Sequence, residues 1–113
     1  MPDCVFCKIL QGQIPSTRVY EDDRVYAFED INPQAPTHVL IVPRLHIATL
    51  NDLKPEDNET IGHMIHTATR IARDQGIHES GYRTVFNVNA DAGMVVFHVH
   101  LHLLGGKRLQ GLA

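Results

Sequence analysis

Apolar residues recur with a period of two near the C-terminal end of the chain and with a period of three to four in its middle. In "FHVHLHLL" (97–104) Val99, Leu101 and Leu103 alternate with His98, His100 and His102, as in a strand with one face on a core. Successive strand side chains point to opposite faces, so the three imidazoles share one face at a spacing of roughly 6.5–7 Å. From Pro55 to Gln75 the pattern predicts a helix whose apolar stripe is Ile61, Met64, Ile65, Ala68, Ile71 and Ala72. Pro55 suits its first turn and Gly76 its C-terminal cap.

The remaining segments are shorter. Residues 4–12, "CVFCKILQG", read as a short helix with Val5, Ile9 and Leu10 available for packing and Gly12 as its stop. Arg18–Tyr20 and Arg24–Glu29 read as a hairpin about the polar turn Glu21–Asp23. "NPQAP" (32–36) is a rigid loop, because each proline fixes its own φ and biases the residue before it. "THVLIVP" (37–43) is a third strand, whose four consecutive aliphatic residues imply burial on both faces. A fourth strand is expected at 82–89 and a fifth at 97–104. The fold class is therefore α+β: a five-stranded, mainly antiparallel sheet with one long and one short helix.

Length and charge narrow the function. At 113 residues the chain is expected to form one domain, 1–113, with a modest core. A formal charge of −3 and no basic stripe argue against a nucleic-acid polymer as partner. The longest apolar runs, such as "VLIV" at 39–42, are too short to span a membrane. "MPDCVFCKIL" lacks the features of a secretory signal, so a cytoplasmic location is expected. The two cysteines form Cys4-x-x-Cys7. No signal favours a disulfide and no strand precedes the pair as in a thioredoxin-like motif, which leaves metal ligation or two plain thiols.

His63 and His66 sit three residues apart on the helix without a third ligand nearby, and His78 lies in a loop. All three are expected to be solvated, and His38 to be structural. The row of three histidines is different: below pH 6–7 such rings repel one another as cations unless something uses them. It supports either a metal site completed from elsewhere or an imidazole nucleophile assisted by its neighbours. "FNVNADAG" (86–93), just before the row, can offer backbone N–H groups and Asn amides to an oxyanion.

"HVHLHLL" (98–104) matches the alternating signature of the histidine triad superfamily. With "YEDDRVYAFEDINPQAPTHVLIVPRLHI" (20–47) and "GYRTVFNVNADAG…FHVHLHLLGG" (81–106), the chain resembles that superfamily's nucleotide-binding, purine nucleoside phosphoramidase-like branch over nearly its whole length. The resemblance implies hydrolysis of a nucleoside 5′-phosphoramidate, adenosine-based first, to the monophosphate and an amine. His100 would be the nucleophile, His102 a hydrogen-bond donor to phosphate, and His98 the third member of the catalytic face. Asn87 would reach the phosphate, and Asp30 would accept from both ribose hydroxyls. Val5, Phe6, Ile9, Phe28 and Ile31 would form the apolar slot for the base.

The resemblance also suggests partners for the thiols. In bacterial-type relatives Cys4, Cys7, His46 and His98 would hold a structural zinc, and no organic cofactor is expected. Where zinc is absent, the histidine matching His46 has a part in proton relay, which metal ligation would exclude. A homodimer with joined sheets is implied. The chain departs from the family at Gly93-Met94-Val95, where a polar pair commonly follows the glycine. Backbone N–H groups of Met94 and Val95 would remain for phosphate, but a lost side-chain donor can cost on the order of 10²–10³ in rate. The segment after Gly106 is short, so leaving-group contacts from a longer tail are expected to be missing. Two alternatives stay open: dinucleoside polyphosphate hydrolysis, and a non-catalytic, zinc-stabilised nucleotide-binding module.

Overall fold

The computed structural model describes residues 4–111. A short helix α1 (Val5–Leu10) precedes strands β1 (Arg18–Glu21), β2 (Val25–Glu29) and β3 (Thr37–Pro43). A long helix α2 (Asn58–Asp74) follows, then β4 (Tyr82–Phe86) and β5 (Leu101–Gly105). The sheet order is β1-β2-β3-β5-β4, with every neighbouring pair antiparallel. The α+β architecture expected from the apolar pattern is the one observed.

The two faces of the sheet carry different loads. On one side α2 packs through Met64, Ala68, Ile71 and Ala72 against Val39 and Ile41 of β3 and against Val99, Leu101 and Leu103. Leu101 and Leu103 are all but inaccessible to water, and burial of each such side chain is worth about 1.5–3 kcal/mol. On the other side α1 lays Phe6 over Phe28, Leu40 and Val42. β3 is therefore buried along its whole length, as its aliphatic run implies. Helix α2 ends where Gly76 takes a left-handed φ of 73°, which lets its N–H reach back to the Arg73 carbonyl.

Several boundaries differ from the pattern. The helix begins with a separate 3₁₀ turn at Pro55–Asp57, and Ile65, placed in the apolar stripe by its spacing, is 46 % exposed. β4 stops at Phe86, so Asn87 lies beyond the ladder. β5 starts only at Leu101, which leaves His98 and His100 in the segment that enters the strand, outside the ladder. Pro43 supplies the reason. The register that sets Ile41 against Leu101 would bring Val99 opposite Pro43, which has no N–H to give. The Val99 N–H turns away to the Ile47 carbonyl at 2.7 Å. Alternation survives this break, because Val99 still points into the α2 core. Among the described residues, no helix is long and apolar enough to cross a membrane.

Candidate active site

The triad rings stand on the α1 side of the sheet, and each has its proton position fixed by a neighbour. One nitrogen of His100, Nδ1, lies 2.8 Å from the His98 carbonyl oxygen. A carbonyl only accepts, so Nδ1 carries the hydrogen and Nε2 keeps its lone pair. Nε2 of His98 lies 2.8 Å from the Pro43 carbonyl, which assigns that ring the opposite tautomer, with Nδ1 bare.

His38 extends the series. Its Nδ1 accepts from the Gln34 N–H at 3.0 Å, so its Nε2 bears the hydrogen. That Nε2–H points at Nδ1 of His102, 3.0 Å away, which leaves His102 with its own hydrogen on Nε2. Oδ2 of Asp30 lies 3.3 Å from the same His38 Nε2, while Asp30 Oδ1 accepts from the Asn32 N–H at 2.9 Å. The rigid 32–36 loop thus fixes both the carboxylate and the first ring of a hydrogen-bonded row. Sequence reasoning assigned His38 no part in the site. Its only signal was that it lies in phase with Leu40 and Val42 on β3, and the contact appears once β3 pairs with β5.

Burial keeps these rings neutral. Desolvation pushes the pKa of His102 down to about 4, helped by the neighbouring His100 and His38 and opposed by Asp30. Desolvation also dominates at His98, which is likewise pushed down to about 4 although its bond to Pro43 works the other way. His100 and His38 shift downward for the same first reason.

Beside the rings opens a cavity of about 860 Å³. His100, His102 and Asp30 line it, as do the five apolar residues Val5, Phe6, Ile9, Phe28 and Ile31. Phe6 and Phe28 are buried, whereas Ile31 is 92 % exposed and forms an open rim. Val95 also lines the cavity, with its side chain in solvent. The structure does not bring Asn87, Gly93, Met94 or His98 to its lining.

The loop before the triad therefore needs correction. The Gly93 N–H donates to the Ala90 carbonyl and the Met94 N–H to the Asn89 carbonyl, so neither is available to a phosphate. Met94 is buried, with its sulfur accepting from the Asn89 N–H. Asn89 holds this turn at φ 66° and ψ −174°, a strained conformation that otherwise belongs almost wholly to glycine. Among the described residues, the Val95 N–H has no protein partner and is the one amide of the Gly93–Val95 stretch left for a ligand.

A second cluster lies behind the cavity. Cys4 Sγ is 3.4 Å and Cys7 Sγ 3.6 Å from Nδ1 of His98, which is itself 3.1 Å from Nδ1 of His46. Cys7 Sγ is also 3.3 Å from His46 Nδ1. Tetrahedral zinc with ordinary bond lengths would set two nitrogens about 3.3 Å apart and a nitrogen and a sulfur about 3.6 Å apart. The donors match that spacing, and the one bare nitrogen of His98 is the one that faces the thiols. Its other nitrogen donates to a backbone carbonyl, the usual support of a metal-bound imidazole. These four residues can hold a metal ion.

Asp30, His38 and His102 also converge, with their donor atoms within 4.8 Å of one another. The hydrogen bonding argues against an ion there. Nδ1 of His38 is engaged by a backbone donor, so Nε2 must keep its hydrogen and cannot offer a lone pair. Of the histidines expected to be solvated, His66 and His78 are exposed. His63 is not: its Nε2 lies 2.6 Å from Asp22 Oδ2 and ties α2 to the β1–β2 turn. Burial would raise the Asp22 carboxyl, but bonds from His63, Tyr20 and two backbone amides hold it far below the usual range.

A histidine row entering the β5 strand of a five-stranded antiparallel sheet, beside a cavity of small-molecule size, marks the histidine triad class. The HIT domain profile matches residues 11–109, and the chain belongs to that family. It is 50 % identical over 107 residues to the purine nucleoside phosphoramidase of Escherichia coli K12, covering 95 % of this chain and 90 % of that protein. The crystal structure of a HIT family hydrolase from Legionella pneumophila Philadelphia 1 superposes with a TM-score of 0.94 at 52 % identity, covering 96 % of each chain. A histidine triad protein from Clostridium difficile gives 0.95 at 43 % identity, covering 100 % of this chain and 98 % of that one.

The buried neutral rings give stability a definite pH dependence. A ring held at about 4 in the fold but near 6.5 when unfolded binds its proton first in the unfolded chain. Stability is then full above pH 6.5 and falls toward pH 4, by about 1.4 kcal/mol per pH unit for each such ring. Urea unfolding at pH 7.5, 6 and 5 is expected to show this loss, and a flat or rising stability over that range would contradict it.

Proposed function

We propose that this protein hydrolyses nucleoside 5′-phosphoramidates, adenosine-based ones first, to the nucleoside monophosphate and an amine. The bare Nε2 of His100 at a cavity of nucleotide size is the observation that carries the reading. Kinship with the phosphoramidase of E. coli supports the same substrate class.

In this scheme the base lies against Phe6, Ile9 and Phe28, and Asp30 accepts from the ribose hydroxyls. His100 Nε2 attacks phosphorus, the P–N bond to the amine breaks, and a nucleotidyl-histidine forms. Water then attacks phosphorus and gives its proton to solvent, the bond to His100 breaks with its electron pair returning to Nε2, and the monophosphate leaves. His102 Nε2–H and the Val95 N–H donate to the phosphate oxygens and stabilise charge as it develops. His98 acts through its carbonyl, which holds the nucleophile in the reactive tautomer. Met94 and Val95 offer no side-chain proton, so the amine is protonated from solvent at the open mouth. Asn87 lies off the cavity lining and would need to move to reach the phosphate.

The Cys4, Cys7, His46 and His98 cluster suits zinc by its donor chemistry. Zinc bound there supplies a structural cross-link between α1 and the sheet, and every step at phosphorus is left to the protein's own groups. Reduced thiols suit a reducing compartment, in accord with the cytoplasm. A homodimer with joined sheets fits this reading: β4 is an edge strand, as is β1, and among the described residues its outer side is open to the same strand of a second copy. The apolar residues at 94 and 95 favour one second reading, a nucleotide-binding module without turnover.

Two experiments test this function. AMP release from adenosine 5′-phosphoramidate should occur with the parent protein and fall by at least about 10³-fold in His100→Ala. AMP binding without turnover in either protein would sink the hydrolase reading in favour of the module. Separately, chelation should lower the thermal unfolding midpoint and one equivalent of Zn²⁺ should restore it. An unchanged midpoint in protein that never contained zinc would contradict the metal assignment.

A further inference from the structure

We propose that Phe6 couples the Cys4–Cys7–His46–His98 cluster to the nucleotide cavity, so that a metal ion on the one and a nucleotide in the other raise each other's affinity. The inference rests on the reading of the cavity as a nucleotide site.

Phe6 stands between the two cysteines in the first turn of α1 and is 6 % exposed. Its ring meets His98 edge-on at 5.9 Å, on the cluster side. It meets His100 at 5.0 Å with an interplanar angle of 84°, and Phe28 at 5.6 Å, both on the cavity side. One aromatic ring therefore touches a metal-site ligand, the candidate nucleophile and the wall of the base slot.

α1 depends on both ends of this contact. At six residues it is far too short to be stable alone. Its N-cap is the Cys4 sulfur, which accepts from the Cys7 N–H at 3.4 Å. A metal ion on four ligands fixes the cap, the first turn and with them the Phe6 ring. The slot wall is then ordered before nucleotide arrives, and less freedom is lost on binding. Linkage makes the effect reciprocal, with one factor for both ligands. The α2-side core contains no cluster residue, so the sheet and α2 are expected to persist without the ion.

The probes are Zn²⁺ and AMP. AMP affinity is measured by calorimetry on chelated and on Zn²⁺-loaded protein. Zn²⁺ affinity is measured by competition with a chromophoric chelator, with and without saturating AMP. Both affinities should change by the same factor, on the order of 10-fold. In Phe6→Leu that factor should fall close to one, whereas a merely structural role would weaken both affinities and leave their ratio unchanged. Independent binding of Zn²⁺ and AMP in the parent, or a parental factor in Phe6→Leu, overturns the coupling while leaving the cavity reading intact. Loss of the whole fold on chelation, seen by circular dichroism, also overturns it, because the dependence would then be global. Failure of AMP to bind the Zn²⁺-loaded protein overturns the cavity reading itself.

Discussion

The His98 carbonyl and the Gln34 amide decide what this row of imidazoles can do. A neutral imidazole has one donor and one acceptor, and which nitrogen is which depends on what lies within reach. Here the partners that set the row are main-chain groups held by β3, the 32–36 loop and the chain entering β5. Backbone geometry is more rigid than side-chain geometry, so the tautomers are set by the fold itself. Burial then removes the protonated forms from competition near neutral pH. Two rings identical in chemistry are told apart by their partners: His100 gives its Nδ1–H to a main-chain carbonyl and keeps Nε2 bare, whereas His102 accepts at Nδ1 from His38 and keeps its hydrogen on Nε2.

His98 shows how closely two sites can share one segment. Its ring has no exposure, turns from the cavity and completes the set with Cys4, Cys7 and His46. Its carbonyl meanwhile serves the ring two residues on. The strand alternation that places His98 and His100 on one face is what permits this, and the short reach of α1 brings the thiols to it. The second convergent set, Asp30 with His38 and His102, has a comparable span but the wrong proton on the critical nitrogen. Distance alone would not separate the two clusters; hydrogen-bond direction does.

Much of the architecture was legible in the sequence because it rests on periodicity. The alternation at 98–104 and the stripe along α2 each report a face, and faces are what the sheet and helix bury. Less legible were features that depend on a partner strand. Pro43 truncates β5, although nothing local to 97–104 reveals it. His38 reads as one polar residue in an apolar strand until the β3–β5 register sets it beside His102. The loop at 89–94 reads as a set of free amides, yet its turn consumes two of them internally. The cavity lining at Val5, Phe6, Ile9, Phe28 and Ile31 followed from family resemblance, since a slot wall and a core wall look alike in composition.

The placement of protons on His100 and His102 underlies every role given to the row. It is tested most directly by long-range ¹⁵N–¹H correlation of the imidazole rings in the unliganded protein at pH 7.5. The expected result is a hydrogen on Nδ1 of His100 with Nε2 bare, and the reverse on His102. A hydrogen on Nε2 of His100, or a doubly protonated ring at that pH, would contradict it.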